Sequence, residues 1–248
     1  MSDSFTMTKI VQNPCIVYDL DPILLVGGAE VSVTSMKFLT SYTGKVVGAD
    51  GGITHILHAG RDPEAVIGDF DSLPEMLRSS LPVDCLHHIS EQNSTDFEKC
   101  LTRIDAPLVL ALGFTGGRLD HELAALHVLL AFPERRCILI GEEDVLFLAP
   151  PQFNIDLPAG CRFSVMPLAP VRAKSDGLRW PLGGLEYAPG LRIGTSNEVI
   201  AGPGDIPVSL SVDRPSMLVI LPREHLDLAV KSLLAAPESG AHWPARAK

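Results

Sequence analysis

The sequence predicts an α/β protein: a doubly wound, mostly parallel sheet with helices on both faces, followed by a C-terminal antiparallel β-sandwich. Three observations carry this. Short apolar runs alternate with helix-patterned segments up to about Gly141. Beyond that point strand-like runs follow one another closely, separated by Pro and Gly, without helical periodicity. Glycines and aspartates of the first half gather where its strands should end.

Taken in order, 23–26 reads as a strand running into Gly27-Gly28, with a helix over 32–42. A strand at 45–49 leads into Asp50-Gly51-Gly52 and a helix to about Ala59. A third strand at 65–67 enters Gly68-Asp69-Phe70-Asp71. Residues 95–104 look helical, 108–112 form a strand, 119–131 a strong helix, and 136–140 the last strand of the series. In the second half, 145–148, 153–157, 162–165, 178–180, 192–194, 208–212 and 217–221 are strand-like. Leu226, Val230, Leu233 and Leu234 then share one helical face, and the chain from Pro237 is expected to be mobile. The expected domains are 1–145 (α/β), 146–224 (sandwich) and 225–248 (C-terminal helix and tail).

With 248 residues and 46% hydrophobic content, the chain can bury a sizeable core. No apolar run is long enough to span a membrane. Met1 to Asn13 lacks a basic start followed by an apolar stretch, so a cytoplasmic location is expected. Five scattered cysteines without a CxxC pair read as buried, reduced thiols. A net charge of −10 with no Lys/Arg cluster argues against nucleic acid and suits a cationic ligand or bound metal ions.

The chemistry concentrates at the strand ends. Glycines there let backbone N–H groups approach an anion. Asp69 and Asp71, two apart, would face the same side of extended backbone. Several converging carboxylates repel one another unless cations sit among them, and hard oxygen ligands suit Mg²⁺. Asp96 and Asp120 are the best additional members, and Arg118 is a natural partner for phosphate oxygens.

Each feature also has an ordinary reading. Asp50-Gly51-Gly52 is a common turn, Thr95-Asp96 a helix cap, Asp120 an acid at a helix start, and Arg118 a solvated charge. Their shared position at the ends of one sheet favours a site. There is no P-loop and no GxGxxG. His55, His58 and His87-His88 match no metal spacing, and Ser72 and Ser196 lack a His/Asp partner pattern.

These residues resemble the thiamine pyrophosphokinase family. The matching strings are Ala49-Asp50-Gly51-Gly52, Gly68-Asp69-Phe70-Asp71-Ser72, Ser94-Thr95-Asp96-Phe97-Glu98-Lys99-Cys100-Leu101 and Gly116-Gly117-Arg118-Leu119-Asp120-His121. Later come Gly177-Leu178-Arg179-Trp180-Pro181-Leu182 and Gly194-Thr195-Ser196-Asn197-Glu198. The ordered set is far more specific than any single string.

The resemblance implies transfer of diphosphate from ATP to the thiamine hydroxyl, with Mg²⁺, in a homodimer that holds thiamine at the subunit contact. On matching positions it implies metal ligands Asp69, Asp71 and Asp96, and catalytic roles for Asp71, Asp96, Arg118 and Asp120. ATP would meet Asp50, Gly51, Gly52, Ser72, Thr95, Lys99, Gly116, Gly117 and Arg118, and thiamine would meet Gln92, Ser196 and Asn197. Trp180 is a candidate to stack near thiamine, though its first reading is a core aromatic of the sandwich. Two departures stand out: the chain continues past Leu221 as a helix and tail, and 91–94 is polar where an aromatic is expected. A kinase for another hydroxymethyl compound such as a pterin is the nearest rival reading. A non-catalytic sensor has no need of so many metal-binding acids.

Overall fold

The computed structural model describes residues 14–200, 207–235 and 242–245. In chain order the elements of the first half are β1 (Val17–Tyr18), β2 (Ile23–Val26), α1 (Val33–Leu39), β3 (Val46–Ala49), α2 (Ile53–His58), β4 (Ala65–Gly68), α3 (Glu75–Ser80), β5 (Leu86–His88), α4 (Asp96–Leu101), β6 (Ile104–Asp105), β7 (Val109–Leu112), α5 (Leu119–Ala131) and β8 (Cys137–Ile140). There follow β9 (Asp144–Leu148), β10 (Gln152–Ile155), β11 (Arg162–Pro167), β12 (Val171–Asp176), β13 (Leu185–Tyr187), β14 (Gly194–Glu198), β15 (Val208–Val212), β16 (Met217–Pro222) and α6 (Leu226–Ala235).

Strands β2, β3, β4, β7 and β8 are buried at every residue, which explains why their sequences are unbroken apolar or small-residue runs. They pair in parallel in the order β8-β7-β2-β3-β4-β5. Helices α1, α2 and α6 lie over one face and α4 and α5 over the other. Chain direction across the sheet reverses between β2 and β7, the point at which such sheets open a crevice beyond their strand ends.

The sheet does not stop at β8. Strands β9, β16, β11 and β14 continue it in antiparallel fashion, so that ten strands form one surface. The second sheet, β10-β15-β12-β13, is antiparallel and packs on this extension to make the sandwich. Val145, Phe147, Phe163 and Val165 meet Phe153, Ile155, Val171 and Leu210 in its core. The expected boundary after residue 145 therefore falls inside a strand that pairs on both sides.

Several local expectations change. The helix of 95–104 ends at Leu101, and Ile104 starts a short parallel pair with β1 instead. Residues 178–180 form no strand; Leu178 makes a lone bridge to Val199. Strand β12, whose burial alternates strictly, was hidden by its charged outward residues Arg172, Lys174 and Asp176. On α6, Leu226, Ala229, Val230 and Leu233 are buried while Leu234 is 39% exposed.

The tail expected to be mobile lies partly outside the described residues, but Trp243 packs on the core and its indole donates to Ala149 O at 2.8 Å. All five cysteines are unpaired, and four are buried; Cys15 is exposed, against expectation. Among the described residues no helix is long and apolar enough to cross a membrane.

Candidate functional site

Asp50 follows β3 in a tight turn with φ +44°, a left-handed conformation rare outside glycine. Its neighbours must be small. A Cβ on Gly68 would sit 2.9 Å from Asp50 Cβ, and a Cβ on Gly52 would sit 2.1 Å from the carbonyl oxygen of Val26. Asp50 is 4% exposed; one carboxylate oxygen accepts from Ser72 N–H at 3.2 Å, and the other has no hydrogen-bond partner. Burial pushes its carboxyl up, the bonds from Ser72 oppose this, and the charges of Asp71 and Asp69 add to the rise.

The Asp69-Phe70-Asp71 segment is not extended, contrary to the sequence expectation. Phe70 has φ +64°, and the Asp71 N–H turns back toward Asp69 Oδ1 at 3.4 Å. Phe70 is held there by packing: its ring lies 5.4 Å from His88, and the Arg78 guanidinium stands 5.5 Å from the ring centre. The two carboxylates still converge. Oxygens of Asp50, Asp69 and Asp71 all lie within 4.8 Å of one another.

Helix α4 supplies the opposing charge. Thr95 caps it, accepting from Glu98 N–H at 3.2 Å, the pattern that Thr-x-x-Glu foretells. One turn later Lys99, 2% exposed, places its ammonium 3.2 Å from Asp69 and 3.1 Å from Asp96. Gln92 donates to Asp69 at 2.8 Å. Burial works to raise the Asp69 carboxyl, but the bonds from Gln92, the Asp71 N–H and Lys99 bring it down to about 2. Burial raises Asp96, with Lys99 opposing.

The carboxylates thus fall into an open group of three and a fourth, Asp96, joined to Asp69 through Lys99. Asp50, expected beside ATP, belongs to the open group; Asp96, expected on the metal, does not. The polar 91–94 stretch is a turn closed by Glu91, whose carboxylate accepts from Asn93 N–H at 2.8 Å and Ser94 N–H at 3.1 Å.

Two glycine loops flank the reversal point of the sheet. A Cβ on Gly27 would lie 2.5 Å from Gly113 O, so the loops after β2 and β7 touch backbone to backbone. Gly116 has φ +77°, and its N–H takes an oxygen of Glu122 at 3.0 Å, marking a place that accepts an anion. Gly117 lies beside Ala29. Arg118 is exposed and forks onto Asp120 at 3.1 and 2.7 Å. Ser72 joins the carboxylate group through its hydroxyl, 3.0 Å from Asp71, and Gly51 sits against it.

The remaining residues expected at the site lie elsewhere. Ser196 (φ +58°) and Asn197 are on β14, seven strand positions from β3, a separation of about 33 Å. Asn197 is 5% exposed and its amide is engaged with the backbone of Trp180, accepting at 3.1 Å and donating at 2.7 Å. It therefore positions Trp180. That tryptophan is not a core residue: it is 56% exposed, and Leu185, Leu191, Ile193 and Ile200 of the same half are exposed as well. Sequence reasoning missed His88 and Arg78, which brace Phe70; a histidine and an arginine in separate segments carry no local signal of a shared aromatic partner.

Comparison with known proteins gives a consistent result. Residues 37–140 match the model for the thiamin pyrophosphokinase catalytic domain, and residues 152–216 that for the thiamin pyrophosphokinase vitamin B1 binding domain. Thiamine pyrophosphokinase 3 of Oryza sativa subsp. japonica is 31% identical over 185 residues, spanning 61% of this chain and 69% of that protein. The thiamine pyrophosphokinase of Bacillus subtilis (strain 168) is 28% identical over 67% of this chain and 85% of its own. The crystal structure of thiamin pyrophosphokinase from Geobacillus thermodenitrificans superposes with a TM-score of 0.66 at 27% identity, over 81% of this chain and 96% of that one.

Proposed function

The chain belongs to the thiamin pyrophosphokinase family, and on that premise we propose how its residues transfer the diphosphate of ATP to the thiamine hydroxyl. ATP-dependent synthesis of thiamine diphosphate is the activity of that family, and the chain is a transferase of this kind. The observation that carries the residue-level reading is the group of three carboxylates within 4.8 Å at the ends of β3 and β4, beside the glycine loops.

Three anions this close need a cation. The donors are all hard carboxylate oxygens, and one of them, on Asp50, is buried without a protein partner. The set fits Mg²⁺, which Asp50, Asp69 and Asp71 would hold, with Asp96 attached through Lys99. Bound there, Mg²⁺ would offset charge on the phosphate oxygens. Lys99 and Gln92 fix Asp69, and the strained Phe70 turn aims Asp69 and Asp71 together.

The thiamine oxygen forms its bond to the β-phosphorus while the bond to the α-phosphate oxygen breaks, and AMP departs with that electron pair. A crevice carboxylate takes the hydroxyl proton. The Gly116 N–H, released from Glu122, the Gly117 N–H and the guanidinium of Arg118, released from Asp120, meet the transferring group. ATP also runs along Gly51, Gly52, Ser72 and Thr95.

Gln92 faces thiamine from the carboxylate side. Ser196 and the Trp180 loop cannot reach the same crevice across about 33 Å of sheet. They meet it in a homodimer, supplied by a second copy through the exposed Trp180, Leu191 and Ile193 surface. Functionally, 1–145 serves ATP and metal, 146–224 serves thiamine, and 225–248 adds α6 and the tail. Unpaired cysteines accord with a reducing cytoplasm. The test is formation of AMP and thiamine diphosphate from ATP, thiamine and Mg²⁺, against a control without thiamine. Turnover confined to another hydroxymethyl acceptor would reject the assignment.

A further inference from the structure

We propose that Arg223 binds the AMP half of ATP, as a nucleotide-contacting side chain supplied by the segment after the last strand. This rests on the diphosphotransferase reading above and concerns the end of the nucleotide that does not transfer.

The topology brings Arg223 to the crevice. Strand β16 runs antiparallel to β9, which runs antiparallel to β8, so the end of β16 returns to the carboxyl end of β8. There the Arg223 N–H donates to Glu143 O at 2.9 Å. Its guanidinium donates to Gly141 O at 2.8 Å and to the Ser35 hydroxyl at 2.7 Å. Both acceptors are neutral, and among the described residues no carboxylate lies within salt-bridge distance of it. The other crevice cations are engaged: Lys99 is buried between Asp69 and Asp96, and Arg118 is forked onto Asp120. A half-buried guanidinium that uses two of its five donors on neutral oxygens keeps both charge and hydrogen-bonding capacity for a ligand.

The orientation of ATP follows from what flanks the carboxylates. If the reacting diphosphate lies at Asp50, Asp69 and Asp71, the AMP half must extend toward β5 or toward β8. The β5 side is filled by the stack of Arg78, Phe70 and His88. The β8 side offers glycine backbone at Gly27, Gly113 and Gly141, with Arg223 beyond it. From β3 to β8 is three strand spacings, about 14 Å, a span suited to the reach from a β-phosphate to a nucleoside. The α-phosphate and ribose hydroxyls at that end are the acceptors a guanidinium takes.

The experiment compares wild type with Arg223→Gln and Arg223→Lys, measuring AMP binding by calorimetry alongside inhibition by AMP and by inorganic pyrophosphate. Loss of a charge-assisted contact should weaken AMP about tenfold or more in the Gln variant. Pyrophosphate inhibition and the KM for thiamine should hold, and Lys should recover only part of the loss. Unchanged AMP binding overturns the proposal. So does parallel weakening of AMP, pyrophosphate and thiamine with a lowered melting temperature, the mark of a purely structural arginine. A wild type that binds AMP but makes no thiamine diphosphate would reject the functional reading, while the AMP titration would still decide the role of Arg223.

Discussion

Lys99 and Asp69 form an ion pair of 3.2 Å at a lysine that is 2% exposed, and the same ammonium reaches Asp96 at 3.1 Å. The protein thus places a covalently attached cation, the Lys99 ammonium, between two carboxylates of its acidic crevice. It fixes Asp69 at the edge of the three-carboxylate group.

Removing that cation leaves Asp69, 12% exposed, and Asp96, 36% exposed, without their shared partner. Lys99→Met should destabilise the fold by about 1–3 kcal/mol, less than breaking a fully buried pair because solvent reaches Asp96. Urea denaturation measures it. Adding Asp96→Asn should restore part of the loss; a double variant no more stable than the single one would contradict the pairing.

Asp71 is exposed, and its replacement by Asn keeps an oxygen for the Ser72 hydroxyl. Asp71→Asn should therefore shift stability by no more than about 0.5 kcal/mol while turnover in Mg²⁺ disappears. Near-normal turnover in that variant would remove Asp71 from the metal group.

Gly52→Ala tests the close approach of two backbones. The added methyl would stand 2.1 Å from Val26 O, an atom of a buried strand that cannot move aside. A loss on the order of 3 kcal/mol is expected, read as a lowered thermal midpoint. Gly28→Ala, where a Cβ meets nothing within 4 Å, is the matched control.

The Tyr42 hydroxyl donates to Asp227 at 2.5 Å, joining the turn after α1 to α6. That bond, with burial and the Asp227 charge adding to it, pushes the phenol up to about 12. Its folded value stands above its ordinary value of 10.0, so the stabilisation is complete below pH 10 and is lost as pH rises toward 12. Tyr42→Phe should cost about 1 kcal/mol at pH 8, and its gap from wild type should narrow above pH 10. Urea midpoints at pH 8 and pH 11 decide this.

Trp180→Ala removes the largest apolar side chain of the exposed sandwich surface without touching the core. If a second copy covers that surface, the variant should dissociate at concentrations where wild type is dimeric, with a loss of about 2 kcal/mol or more. Sedimentation equilibrium reads the change. An unaltered association state would leave the Trp180 surface without the assigned partner.

Much of the parallel half was legible because its signals are local: apolar runs for β2, β3, β7 and β8, Thr95-Asp96 as a cap at the start of α4, and aspartates beside glycines at strand ends. The convergence of Asp69 with Asp71 was anticipated through the wrong geometry. A spacing of two implies extended backbone, whereas Phe70 adopts a left-handed turn that only its distant partners His88 and Arg78 explain.

The burial of Asp50 left no trace in the sequence for a related reason: it depends on Gly68 and Gly52 approaching from other segments. The joining of β9 to β16 was equally invisible, because about seventy residues separate the pair and hydrogen-bond partners at that range leave no periodicity.

The strand β9 lies between the two regions matched by family models, ending at 140 and starting at 152, and it is hydrogen-bonded to β8 on one side and β16 on the other. Evolutionary modules and mechanical units therefore do not coincide in this molecule. A hinge needs slack, and here the seam is a ladder of backbone bonds continuous with both neighbours. The two halves should melt in a single transition, and a fragment cut at the seam would present the bare edge of β8 to other chains. Substrate capture is then left to loops and to the docking of rigid bodies, with no part for one half swinging over the other.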